Sequence, residues 1–392
     1  MKFQIKRDIL LKSLSIAHNV IERKNTLPIL SNVLIEAKDN KLNIVATDLD
    51  LIFQDNINDL KIDKEGSTTT SATVLYDLLR KLPSNLDVAF NLKTENRLDI
   101  TAENSNFNLL CLPVDNFPSF TENFNKEHIN LDSSKFLSLL NKTKISMSND
   151  ETRHYLNGIY IHPTVSNKSS YLTGVATDSH RLSSSSIPVE NLDNFKSFIL
   201  PKKAVFQLCN LLQDGSGKIS LNSSDTKIQF KIGTCKIISK VIDGKFPDYS
   251  KVVPKENSKN LSVNAKDFIN SIERVTTVSI DRKEGLKLTL EKDNIKLFVN
   301  SSSSGEGKES LKANYNSEDL TISFNSRYLL DIASEIEDEN LIMNLNDAVS
   351  PVLIQDNKDK QSFFVIMPMK IWNFIFLQKK INLSNIILAL QR

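Results

Sequence analysis

The sequence predicts an α+β fold of three similar domains, each with two helices packed on antiparallel sheets. Three observations predict it. "VATD" begins at Val45 and again at Val175, 130 residues on. "NFP" at residues 116–118 returns as "KFP" at residues 245–247, 129 residues on. Amphipathic helical patterns recur at nearly the same spacing, with alternating strand patterns between them. Two unrelated motifs at nearly one offset make the repeat unit domain-sized.

The elements follow in order. Leu10, Leu14, Ala17 and Ile21 lie at helical spacing and open the first unit. Phe136, Leu139, Leu140 and Thr143 open the second, and Phe268, Ile272 and Val275 the third. Asp132 or Ser133, and Asn264, have the chemistry of N-caps, a short polar side chain able to accept a free amide proton. Each unit carries a second helix, with stripes at Leu75, Leu78, Leu79 and Leu82, at Val205, Leu208, Cys209 and Leu212, and at Leu329, Ile332, Ala333 and Ile336. Pro83 and Asp214-Gly215 end the first two. The first strand pair turns at Lys38, Asp39 and Asn40, and its third-unit counterpart at residues 292–294. "YLNGIYIHP" and "SSYLTGVATD" are the second-unit version. Boundaries fall in polar stretches, so the expected domains are 1–126, 127–256 and 257–371, with an atypical tail at 372–392.

Composition bounds the function. The chain has 392 residues, 40% hydrophobic and 24% charged, with a net charge of +2. Those proportions are ordinary for a globular protein. A strong basic field is absent, so charge alone does not imply tight nucleic-acid binding. Cys111, Cys209 and Cys235 lie far apart among apolar neighbours, which points to small core residues and not to a zinc site or disulfide framework. "MKFQIKRDIL" has no signal-peptide core and no apolar run reaches membrane length, so a cytoplasmic protein is expected. Basic residues gather on or beside the helices: Lys6, Arg7, Lys12, Arg23, Lys24, Arg80, Lys81, Lys135, Lys142, Lys144, Lys202, Lys203, Lys266, Arg274, Arg282 and Lys283. The hairpins collect acids such as Asp48, Asp50, Asp55 and Asp99. A basic helical face would track a phosphate backbone without reading bases. A solvated helix surface is the plainer alternative.

Catalysis finds no support. Asp178, Ser179 and His180 are the three residue types of a hydrolytic triad. Consecutive strand residues point to opposite faces, however, and cannot converge as nucleophile, base and acid. No GxSxG, GxxxxGK[ST] or GxGxxG occurs, and the histidines lack HExxH spacing. No catalytic residue, metal or cofactor is expected.

Taken together, "LPILSNVLI…VATDLD", "RHYLNGIYI…VATDSHRL", "DGKFPDY" and "FVIMPMKI" resemble the bacterial DNA polymerase III β subunit family, the replicative sliding clamps, over residues 1–371. The resemblance implies three clamp domains per chain and a head-to-tail homodimer closing a six-domain ring around duplex DNA. It implies a non-catalytic processivity factor that tethers the polymerase, the clamp loader and other DNA-processing proteins through short peptides. The implied peptide cleft, between the central and C-terminal domains, uses Leu156, Thr177, His180, Arg181, Leu182, Pro247, Lys251, Val252, Met367, Pro368 and Met369. The implied DNA contacts are Arg23, Lys24, Asp150, Arg153, His154 and Tyr155, to which the helical charge adds Lys202 and Lys203. Some positions depart from the family. Thr73 and Val74 stand where basic residues can occur, His154 replaces an aromatic, Ser179 stands where Gly is common, and Ser250 precedes Lys251 where two basic residues can occur. In the tail, Leu383, Ile386, Ile387 and Leu390 would make one helical stripe that Ser384 caps, expected to lie outside the ring.

Overall fold

The computed structural model describes residues 1–22, 26–120, 124, 128–190, 192, 195–213, 217–279 and 285–369. The tail and residues 23–25 lie outside them. The chain forms two compact units, Met1–Asp178 with Ser185–Phe246, and Ser179–Ser184 with the chain from Pro247 on.

The first unit holds two of the repeats. Its helices are α1 (Arg7–Val20), α2 (Ala72–Lys81), α3 (Ser133–Lys144) and α4 (Lys202–Leu212). They pack in pairs, α1 on α2 and α3 on α4. The stripe residues Leu10, Leu14, Ala17, Leu75, Leu79, Phe136, Leu139, Leu140, Val205 and Leu208 are all fully buried. Asp132 caps α3, accepting from the Lys135 amide at 2.9 Å. Asp39 and Asn40 turn the first hairpin with φ of 48° and 56°, a left-handed pair that short polar side chains tolerate.

One thirteen-stranded sheet runs through both repeats of this unit. Its joint is antiparallel: Leu51–Ile57 of the first repeat pairs with Cys235–Lys240 of the second, Ile52 opposite Ile238 and Phe53 opposite Ile237. Across the joint, Thr234 Oγ1 donates to the buried Asp55 at 2.7 Å. Cys235, half-buried beside that carboxylate, has its thiol pushed up to about 12, by burial first and by Asp55 second. Cys111 and Cys209 are buried.

The second unit holds the third repeat, with α5 (Ala265–Thr276) and α6 (Ser326–Ala333). Asn264 caps α5, accepting from the Asp267 amide at 3.0 Å. A four-stranded sheet runs Gly305–Lys312, Asn294–Ser301, Gly285–Glu291, Leu320–Asn325, so Gly305–Lys312 is its edge. A Cβ at Gly307 would lie 2.5 Å from the Val275 carbonyl, so only glycine lets this edge strand approach α5. A second sheet runs Ser362–Ile366, Val352–Asp356, Asn340–Leu345, Lys259–Asn264, Asn314–Tyr315. Among the described residues no helix is long and apolar enough to cross a membrane.

Two of the basic helix residues do not belong to a solvent-facing stripe. Arg7 donates from Nε to the Leu79 carbonyl at 2.8 Å and from Nη2 to the Arg80 carbonyl at 3.0 Å. It thereby satisfies carbonyls that the end of α2 leaves unpaired. Lys142 is buried, at 3% exposure.

Candidate functional sites

The repeated corner has the same backbone twice. Leu49 has φ of 78° and Ser179 of 77°, so the two copies make one left-handed turn. This conformation favours glycine, yet Leu49 and Ser179 both adopt it. Past the turn, the Lys240 amide donates to the Asp50 carbonyl at 2.8 Å, and the Met367 amide to the His180 carbonyl at 2.8 Å. Asp50 and His180 are therefore equivalent, as are Lys240 and Met367.

The chemistry differs between copies. Asp48 Oδ1 accepts from the amides of Asp50 at 2.9 Å and Leu51 at 2.6 Å. Its Oδ2 accepts from Lys203 Nζ, and Lys240 Nζ reaches Asp50 Oδ1 at 2.7 Å. The first corner is thus closed by ion pairs. At the second, Lys240 is replaced by Met367, 39% exposed, and Asp50 by His180.

Of the cleft residues in the second unit, the structure joins two groups. Arg181, its side chain 9% exposed, donates to Asp331 Oδ2 at 2.6 Å and lies 4.2 Å over the Tyr328 ring. A planar guanidinium suits both contacts at once. Met369 is fixed by its amide, which donates to the Ser323 carbonyl at 2.7 Å. Leu182 is buried, while Met367, Met369 and Val252 are exposed apolar groups. Lys251 closes the short turn Tyr249–Lys251 and pairs weakly with Asp248 at 3.6 Å, and Pro247 is exposed. Pro368 is half-buried. Leu156 and Thr177 belong to the first unit, Leu156 buried and Thr177 half-buried. Tyr328 and Asp331 were not legible as site residues. Their signal is an i, i+3 pair off the apolar stripe of α6.

In the first unit, residues 148–157 form a tight turn. Asp150 accepts from the Thr152 amide at 2.9 Å and from Arg153 Nε at 2.9 Å. The Thr152 hydroxyl, the Arg153 guanidinium and the Thr152 amide hold the Asp150 carboxyl down at about 2. His154 Nε2 lies 3.0 Å from the Asp243 carbonyl, which makes it the protonated nitrogen. Gly244, with φ of 146°, would put a Cβ 3.0 Å from Tyr155. Lys202 donates to Asn149 Oδ1 and lies 6.0 Å from the Phe206 ring centroid, so the structure brings it to this turn. Lys203 points elsewhere, to the ion pairs with Asp48 and, at 3.3 Å, Glu22. Arg23 and Lys24 lie outside the described residues.

Against this geometry stand the comparisons with known proteins. Models of the DNA polymerase III beta subunit match the chain in three pieces, N-terminal domain at 1–121, central domain at 130–248 and C-terminal domain at 250–370. The beta sliding clamp of Caulobacter vibrioides is 36% identical over 373 residues, 95% of this chain and 100% of the relative. That of Escherichia coli K12 is 30% identical over 371 residues, with the same coverage. The solved DnaN sliding clamp of Bartonella birtlesii bound to griselimycin is 40% identical, with a TM-score of 0.90 over 95% of this chain and 100% of that one.

Proposed function

The chain belongs to the DNA polymerase III beta subunit family, and on that premise we propose that it is a non-catalytic processivity factor, a homodimeric ring that encircles duplex DNA, slides without sequence preference and tethers the replicative polymerase, the clamp loader and other DNA-processing proteins. The observation that carries the ring is the joint inside the first unit. There the fourth strand of one repeat, Leu51–Ile57, pairs with the last strand of the next, Cys235–Lys240. Two strands of those same kinds remain. Gly305–Lys312 is the fourth strand of the third repeat and an open sheet edge. Ser105–Leu112 is the last strand of the first repeat; Arg97–Ala102 pairs along one side of it, while on the other only Cys111 and Leu112 pair, with Thr70 and Thr69, which leaves residues 105–110 an open edge on which Leu110 is 68% exposed. An open edge templates pairing with another chain. A second copy satisfies both strands at once, head to tail, and two such joints close the assembly.

The net charge of +2 suits a slider. Few phosphate contacts keep binding weak, salt-sensitive and sequence-blind. Asp150, Arg153, His154, Tyr155 and Lys202 supply one contact of that kind, and Arg23 and Lys24 a second. Lys203 serves the joint between repeats. Partners dock at the second corner, where Val252, Met367 and Met369 give exposed apolar surface and His180 an exposed polar anchor, while Leu182 and Arg181 are buried parts of its frame.

Native mass spectrometry of Leu110→Arg tests the joint. The wild-type chain runs as a dimer and the variant as a folded monomer, because a buried guanidinium facing the partner strand has no counter-charge. A variant that remains dimeric at the wild-type concentration would contradict this edge pairing.

A further inference from the structure

Outside the main core, Ile29, Leu30, Leu34, Val45, Ile52, Phe117 and Ile238 form a separate buried cluster, and Val114, Phe120 and Phe124 pack against it. This cluster lies at the first corner. By the equivalences above, Ile52 corresponds to Leu182 and Ile238 to Val365. The first corner therefore has its own apolar surface where the second corner has the partner site, and something covers it. The cover is the chain itself. The short turn Val114–Asn116, with the Phe117 amide donating to the Val114 carbonyl at 2.8 Å, folds Phe117 and Phe120 back onto the cluster.

The second repeat uses the same residues differently. Phe246, the partner of Phe117 in the repeat, stacks on Tyr160 at 5.0 Å. Tyr249, the partner of Phe120, opens the turn that Asp248 caps. In that copy Met367, Met369 and Val252 stay 39%, 37% and 49% exposed.

We propose that the first corner is a second peptide site, specific for a short turn-forming segment with two aromatic side chains, and that residues 114–120 are its built-in ligand. Its occupation leaves each chain one open corner for partners, and release of the segment would expose a second. The proposal rests on reading the second corner as a partner site.

The test uses the full-length chain with Phe120→Ser, and with Phe117→Ser and Phe120→Ser together. The probe is the seven-residue peptide VDNFPSF, carrying a photo-reactive benzoylphenylalanine at its last position. The peptide binds the double variant about tenfold or more tighter than wild type, as refilling a vacated apolar pocket requires. It also raises the melting temperature of that variant and not of wild type. Cross-links map to the stretches around Leu30, Leu34 and Ile238. Equal affinity for folded variant and wild type overturns the proposal, as do cross-links at residues 180–182 or 367–369. Phe120 is half-buried, so the single variant answers the question if the double variant does not fold. Failure of the partner-site reading shows separately, as polymerase-peptide binding to wild type that Met367→Ala leaves unchanged.

Discussion

Asp48→Ala tests whether the first "VATD" corner is architecture. The carboxylate is acceptor for two backbone amides, of Asp50 and Leu51, and pairs with Lys203 while its own side chain is 6% exposed. Each amide bond to a charged acceptor contributes about 1 kcal/mol or somewhat more, as a cap does. The ion pair adds about 1 kcal/mol, since Lys203 is 33% exposed and keeps Glu22 as a second partner. The turn also holds Leu49 at φ 78°, a conformation that resists relaxation once the side-chain acceptor is gone. The variant loses about 3 kcal/mol, which for a unit of this size lowers its melting temperature by roughly 6–12 °C. Asp48→Asn keeps an acceptor oxygen and loses about 1 kcal/mol, and Lys203→Met loses the ion pair alone. Scanning calorimetry of the full-length chain reads all three. A shift under about 2 °C for Asp48→Ala, or equal shifts for Ala and Asn, would refute the reasoning. DNA retention by the folded variant stays at the wild-type level, because the corner does no chemistry.

Met367→Ala weakens binding of a clamp-binding polymerase peptide about tenfold by isothermal titration, from loss of about 1.4 kcal/mol of apolar contact; an unchanged affinity would refute the proposed partner site. Met367 suits this test better than Leu182, which is buried and whose truncation would also cost stability. The Asp150 carboxyl, held down at about 2 from the ordinary value of 3.8, stays ionised through the neutral range. A lowered folded value means its contribution is complete above the unfolded value and is lost only as pH falls through about 2. A carboxyl carbon NMR titration of the intact chain follows it, and a midpoint near 4 would mean the Arg153 and Thr152 contacts are not made in solution.

The repeat was legible because its signals are local. Helix stripes, Asp132 and Asn264 as caps, and the Asp39-Asn40 turn all follow from interactions within a few residues. Even the equivalence of the corners was visible at Val45 and Val175. What sequence did not disclose are partnerships across long separations. Lys202 and Lys203 are neighbours of one type, yet one joins Asn149 and the other Asp48. Arg7 resembles any helix-start arginine until α2 presents its carbonyls. Arg181 was expected in the cleft, and its burial by Tyr328 and Asp331 depends on α6, about 150 residues away. Charge identity is a property of the residue, whereas its use is a property of the fold.

The central claim is topological, and retention on DNA tests it most directly. The full-length protein, loaded on a nicked circular plasmid and passed through a gel-filtration column at high salt, co-elutes with the DNA if it forms the proposed ring, because an enclosing ring cannot leave sideways. Cutting the plasmid once releases it, since the ring slides off the ends. Release from circle and line at the same rate, or retention that salt abolishes on both, would contradict encirclement and leave only ordinary phosphate binding.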